Sequence, residues 1–289
     1  MAADLSKILF PVDFSNRCVL AARHVKTWAE KLSAALNTLH VVDLEEFGYS
    51  DQRDYNVISD LIVRRTADLK YFADHYLGVN LAHHIVVKGD TRAQIESFAK
   101  QEKVDLIMLP RNHQSIGFRL LRDSLTATIL DKSTASLWIT EHVEAINKLS
   151  VDRILCAVHF ARDLMLDSQN YRILQKVLAL AKALRAEVTF LNVIAEEEEE
   201  EETTRGPEDA NSSSGIEPWL LQAREQFGNA AEFLRQEGDV VSAIADITNR
   251  KAADLVVVGP TRPGTLGLGV HGHILQIDHA ACRPILSVW

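Results

Sequence analysis

The chain has 289 residues, of which 47% are hydrophobic and 25% charged, an ordinary globular balance with room for two domains of about 145 residues. Its net charge is -9. Up to Leu149 there are 18 basic and 19 acidic residues, leaving 13 and 21 for the rest, so the second half carries nearly all the excess and nucleic acid or an anionic membrane is excluded as a general partner. The three cysteines, Cys18, Cys156 and Cys282, are far apart and form no metal or disulfide framework, which points to a reducing cytoplasm. No apolar run reaches the roughly 18 residues of a membrane span, and MAADLSKILF lacks the features of a signal peptide.

Taken in order, the first half alternates strands and helices. Lys7 to Val12 is an apolar strand ending at Asp13, and Ser15 is placed to cap a helix running to about Ser33. Leu36 to Val42 is a second strand, followed by a polar loop and a helix from about Val57 to Leu77 that Gly78 stops. A strand at His84 to Val87, a helix at Thr91 to Glu102, a strand at Asp105 to Leu109, a helix at Ser124 to Lys132 and a strand at Leu137 to Thr140 complete a βαβαβαβαβ series. Such a series predicts a parallel sheet covered by helices on both faces.

The second half repeats the plan. Arg153 to Val158 matches the first strand, Leu164 to Leu184 the first helix and Val188 to Val193 the second strand. HHIVVKGDTRAQI at His83 lies over EFLRQEGDVVSAI at Glu232, and VDLIMLP at Val104 over ADLVVVG at Ala253, both at an offset of 149. The predicted domains are 1–145 and 150–289. Between Ala195 and Gly215 the second half inserts seven glutamates, Glu196 to Glu202, and TTRGPEDANSSSG; a disordered solvated linker over 196–215 and a docking tail for a basic partner are the two readings.

After the apolar run Leu255 to Val258 comes a loop with Gly259, Gly264, Gly267, Gly269 and Gly272, ahead of a helix expected near His273. Glycines let backbone N–H groups approach an anion, and a helix start adds unpaired donors. Gly267 to Gly272 spells GxGxxG, but the seventeen residues that remain are too few for the helix, strand and acidic residue a dinucleotide site needs. A ligand-free glycine-rich turn is the competing reading.

ILFPVDFS at Ile8, the GD pairs at Gly89 and Gly238, DLIMLP, DLVVVG and the ending CRPILSVW together resemble the universal stress protein family, in tandem form, over nearly all of both halves. The resemblance implies two Rossmann-like, five-stranded parallel-sheet domains of the adenine nucleotide alpha hydrolase-like kind. It also implies a pseudo-two-fold pairing through their last strands. It further implies a cytoplasmic stress-response or regulatory binding protein rather than an enzyme, with an adenine nucleotide such as ATP as candidate ligand and a homodimer as candidate assembly. Some family members hold ATP with an aspartate after the first strand and a loop of pattern G-x2-G-x9-G-[S/T] after the fourth.

Here the match is split. In the first half Asp13, Val41 and Ser124 remain, but Pro110, His113 and Asp123 replace the glycines. Proline removes a donor, and Asp123 would repel a phosphate by about 4 kcal/mol at 4 Å with an effective dielectric near 20. Arg111, Arg119 and Arg122 could offset that charge. In the second half Gly259 and Gly272 keep the first and third places, Arg262 replaces the second and His273 the hydroxyl residue, while the first strand ends at His159 instead of an aspartate. Thr261, Gly264 and Val193 complete the candidate nucleotide set of this half, which the resemblance favours.

Three functional readings follow: a stress-type regulatory protein binding an adenine nucleotide in its second half, an ATP-dependent switch or slow ATPase or phosphotransferase, and a scaffold with both pockets vestigial. No Walker lysine or magnesium-placed carboxylate pair supports catalysis. His271, His273 and His279 lack partners at metal-site spacing, and adjacent His83 and His84 point to opposite faces of a strand. Asp278, His279 and Ser287 lack a nucleophile elbow. Cys18 reads as a small core residue, and Trp138 and Trp289 as interface packing between the halves.

Overall fold

The computed structural model describes residues 5–44, 55–78, 82–110, 126, 129, 135–143, 146, 148–158, 168–194, 231–259 and 270–288. The chain divides into two compact units, Ala2–Ser150 and Val151–Trp289.

The first unit contains β1 (Lys7–Pro11), α1 (Asn16–Leu32), β2 (Ala35–Val42), α2 (Tyr55–Phe72), β3 (Ala82–Lys88), α3 (Thr91–Gln101), β4 (Leu106–Pro110) and β5 (Ser136–Thr140). Its strands pair in parallel in the order β3-β2-β1-β4-β5. Ile8, Leu9 and Phe10 are successive residues of β1 and all are fully buried, as a central strand covered on both faces requires. In α1 the buried residues Cys18, Ala21, Ala22, Val25, Trp28 and Ala29 recur every three or four positions, which lays one stripe on the sheet. The Ser15 side chain accepts the Cys18 N–H at 3.3 Å and starts this helix; left-handed Ser33 (φ 53°) ends it.

The helix expected from about Val57 to Leu77 changes character at its end. After Phe72 the chain makes a π-helical turn over Ala73–Leu77, closed by the Gly78 N–H donating to the Ala73 carbonyl at 2.9 Å. Gly78 takes φ 102°, a conformation that stops the helix as the sequence suggests. Of the helix expected over Ser124 to Lys132, only Thr126 and Ile129 are among the described residues; both are helical and buried.

The second unit contains β6 (Arg153–Ala157), α4 (Ser168–Leu184), β7 (Glu187–Ile194), β8 (Glu232–Glu237), α5 (Val240–Arg250), β9 (Leu255–Val258), α6 (Val270–Ala281) and β10 (Ile285–Ser287). Its parallel order is β10-β9-β6-β7-β8. The acidic run Glu196 to Glu202 and the rest of 196–215 lie outside the described residues.

Local devices recur at matching places in the two units. Gly89 (φ 129°) and Gly238 (φ 122°) donate their N–H groups to the carbonyls of Val42 and Ile194 at 3.1 and 3.0 Å. The next residue caps the following helix in each case: Asp90 accepts the Ala93 N–H and Asp239 the Ser242 N–H, both at 2.8 Å. Among the described residues, no helix is long and apolar enough to cross a membrane.

Candidate functional site

In an open, doubly wound sheet the ligand crevice lies beyond the carboxyl ends of the strands, where the direction of strand addition reverses. In the first unit that point falls between β1 and β4, and in the second between β6 and β9. The candidate residues fall along these edges.

In the first unit Asp13 stands two residues beyond β1, exposed, and Val41 is the penultimate residue of the neighbouring β2. Asp13 Oδ1 accepts the Ser15 N–H at 2.8 Å. Burial pushes the Asp13 carboxyl up, but hydrogen bonds from Cys18 and Ser15 outweigh it and hold the group below its ordinary value, so it is ionised at neutral pH. The Cys18 thiol is pushed in the opposite direction, first by burial and then by the Asp13 charge, which keeps it protonated and unreactive. Cys18 is the core residue its sequence context suggests. β4 ends at Pro110, which offers no N–H at the switch point. Ser124, Arg111, His113, Arg119, Arg122 and Asp123 lie outside the described residues.

A cluster beside Asp13 escapes sequence reasoning. Phe14 adopts φ 61°, an outlier for so bulky a side chain. Its ring lies 4.5 Å from the His40 ring, centre to centre, and the Arg65 guanidinium of α2 sits 5.7 Å from its centroid. His40 bonds the Val12 carbonyl through Nδ1 at 2.7 Å. Burial is the main cause that keeps its imidazole below the ordinary value, helped by the Arg65 charge and opposed by the Val12 bond. The left-handed backbone at Phe14 is therefore held by packing on β2 and α2, and it fixes the turn that presents Asp13. Only the DFS string hints at this turn.

In the second unit Gly259 stands immediately beyond β9, and Val193 is the penultimate residue of β7, buried and paired with Gln236. They occupy the carboxyl edge on either side of β6. Gly272 and His273 are the third and fourth residues of α6, which begins at Val270, three residues earlier than expected. Their backbone N–H groups are among the first four of the helix, which have no intrahelical acceptor. Thr261, Arg262, Gly264 and His159 lie outside the described residues. The place that His40 fills in β2 is filled in β7 by Asn192, which is buried.

His84 faces Thr38, with Nδ1 3.2 Å from its Oγ1, while His83 is exposed, as expected of neighbours on a strand. Asp278 is buried and the adjacent His279 exposed. Trp138 is buried on β5 and stacks on His24 of α1, with 6.1 Å between ring centres; Trp289 lies outside the described residues.

Each unit is a doubly wound α/β module with its candidate residues at the carboxyl edge of a parallel sheet, and the chain carries the module twice. The sequence model of the universal stress protein family matches residues 5–141 and again 151–272, and the chain belongs to that family as a tandem member. It is similar to a universal stress protein of Methanocaldococcus jannaschii, 26% identical over 129 residues that cover 43% of this chain and 75% of that protein. The crystal structure of a universal stress protein from Archaeoglobus fulgidus has the same fold, with a TM-score of 0.69 at 16% identity over 99% of this chain and 97% of that one. A functionally unknown protein from Pseudomonas aeruginosa is similar over 99% of this chain and 93% of its own, with a TM-score of 0.60 at 12% identity.

Proposed function

We propose that this protein is a cytoplasmic regulatory binding protein of the stress-response type, and that its second unit holds an adenine nucleotide by the phosphates. The observation that carries this reading is the arrangement around β9. The strand is followed at once by Gly259 beside the switch point, and α6 carries Gly272 at its third position, within the first turn whose N–H groups have no intrahelical acceptor. Family membership supports the reading. In the first unit Pro110 ends β4 without a donor, which favours the second unit as the phosphate site. Binding rather than turnover is proposed.

Mass spectrometry under native conditions on protein purified without nucleotide, followed by thermal-shift titration with ATP, ADP and AMP, tests it. Co-purifying nucleotide or a saturable shift is expected. Gly272→Val should abolish that shift while leaving the ligand-free midpoint within a few degrees, because this position is helical and valine costs less helix propensity than glycine. An apo mass with no shift at millimolar nucleotide would overturn the proposal and return the search to protein partners.

A further inference from the structure

Gly259 has a neighbour that explains it without a ligand. A Cβ built on Gly259 would stand 2.5 Å from Ile173 Cδ1 and 3.7 Å from its Cγ1. The φ of Gly259 lies outside the left-handed region, so the backbone does not demand glycine there; space does. Ile173 belongs to α4 and is only 3% exposed, so its terminal methyl must turn aside within a packed core to admit that Cβ.

The first unit meets the same junction with the sizes exchanged. The helices α1 and α4 are in register through their left-handed end residues, Ser33 (φ 53°) and Arg185 (φ 61°), which sets fully buried Ala21 at the place of Ile173. The strands β4 and β9 are in register through Asp105 and Asp254, which sets Pro110 at the place of Gly259. One unit has a small helix residue with a bulky residue at the carboxyl end of the strand. The other has a large helix residue with none.

We infer that Ile173 and Gly259 are a size-matched pair that fixes how far the carboxyl end of β9 stands from α4, and that Ile173 is therefore a positioning residue for the second unit's anion site. The positioning role rests on the nucleotide reading; the pairing does not. Ile173 touches no ligand in this account. It holds Gly259, the residue that follows β9 at the switch point.

A double-mutant cycle tests both parts, with unfolding midpoints and ATP titration on the full chain for the native protein, Gly259→Ala, Ile173→Ala and the double variant. Gly259→Ala is expected to lower the midpoint and to weaken ATP about tenfold, a differential of about 1.4 kcal/mol. The double variant, with the helix residue cut back to the alanine of the first unit, is expected to lose less midpoint than the two single losses added together and to recover ATP binding to within about threefold of native. Additive losses of midpoint in the double variant would overturn the pairing. Coupled midpoints with ATP affinity unchanged in Gly259→Ala would overturn the positioning role. If the native protein binds neither ATP nor inorganic phosphate, the nucleotide reading fails and takes the positioning role with it, while the midpoints still decide the pairing.

Discussion

Asp105 and Asp254, 149 positions apart, make the same contact in the two units. Asp105 Oδ2 accepts the N–H groups of Ser6 and Lys7, both at 2.9 Å, and Asp254 Oδ2 accepts those of Asp152 and Arg153 at 2.9 and 3.0 Å. Each carboxylate thus ties the start of a central strand to the strand that joins it from the far side of the switch point. Hydrogen bonds to a charged acceptor contribute about 1.5 to 3 kcal/mol each, less where water reaches them, so Asp105→Ala and Asp254→Ala should each lose about 2 kcal/mol in urea unfolding. Asn, which keeps an acceptor, should lose less. Equal stability of the alanine and native proteins would show that water replaces the carboxylate without cost.

Gly89 and Gly238 adopt nearly the same backbone angles, yet their surroundings differ. A Cβ on Gly89 would stand 2.9 Å from Gln94 Nε2, whereas one on Gly238 would meet nothing within 4 Å. Gly238→Ala therefore reports the backbone cost alone, expected at about 1–3 kcal/mol. Gly89→Ala should cost the same and slightly more, because the Gln94 amide must turn aside. Chemical denaturation of the two variants compares them directly.

Acid should weaken the fold before its carboxylates titrate. His24 is buried on α1 against Trp138, and burial first, then the Arg23 charge, lowers its affinity for a proton; a bond to the backbone of Ile146 opposes this in part. His40 and His84 shift in the same direction, each chiefly through burial. A group whose folded value is depressed in this way favours folding while neutral. The contribution is complete above the unfolded histidine value of about 6.5 and is lost as pH falls below it. The carboxyls of Asp13 and Glu232 are also lowered, but their loss begins only below about pH 4. The melting midpoint should hence decline between about pH 6.5 and 5, and His24→Gln should flatten part of that decline. A profile equally steep in the variant would exclude His24.

The cysteines should react unequally. Cys282 is exposed, whereas Cys18 and Cys156 are buried and their thiols are driven toward the protonated form by that burial. Iodoacetamide on the folded protein should modify Cys282 first, and all three only after denaturation, as peptide mass spectrometry can follow.

Much of this fold was legible because its devices are local. The continuous apolar run of Ile8 to Phe10 announces a strand buried on both faces, Ser15 a helix start, and Gly78 a stop. The offset of 149 found the second unit because Gly-Asp and the later Asp serve the same backbone twice. What was not legible depends on residues far apart in the chain. The reason for Gly259 is Ile173, 86 positions earlier, and the turn at Phe14 is held by His40 and Arg65. Of the loop residues proposed for phosphate, Gly259, Gly272 and His273 are among the described residues, while Thr261, Arg262 and Gly264 are not.

The turn over Ala73–Leu77 also sets how the outside of the helix faces relative to its buried stripe. Its closing bond spans five residues where an α-helical turn spans four, so one extra residue is taken up inside the coil. Buried Leu69 and Phe72 before the turn and Leu77 within it all still face the core. The wider turn swings the outer surface, where Tyr71 and Tyr76 are exposed, relative to the buried stripe, so two aromatic rings face water while the core side stays filled.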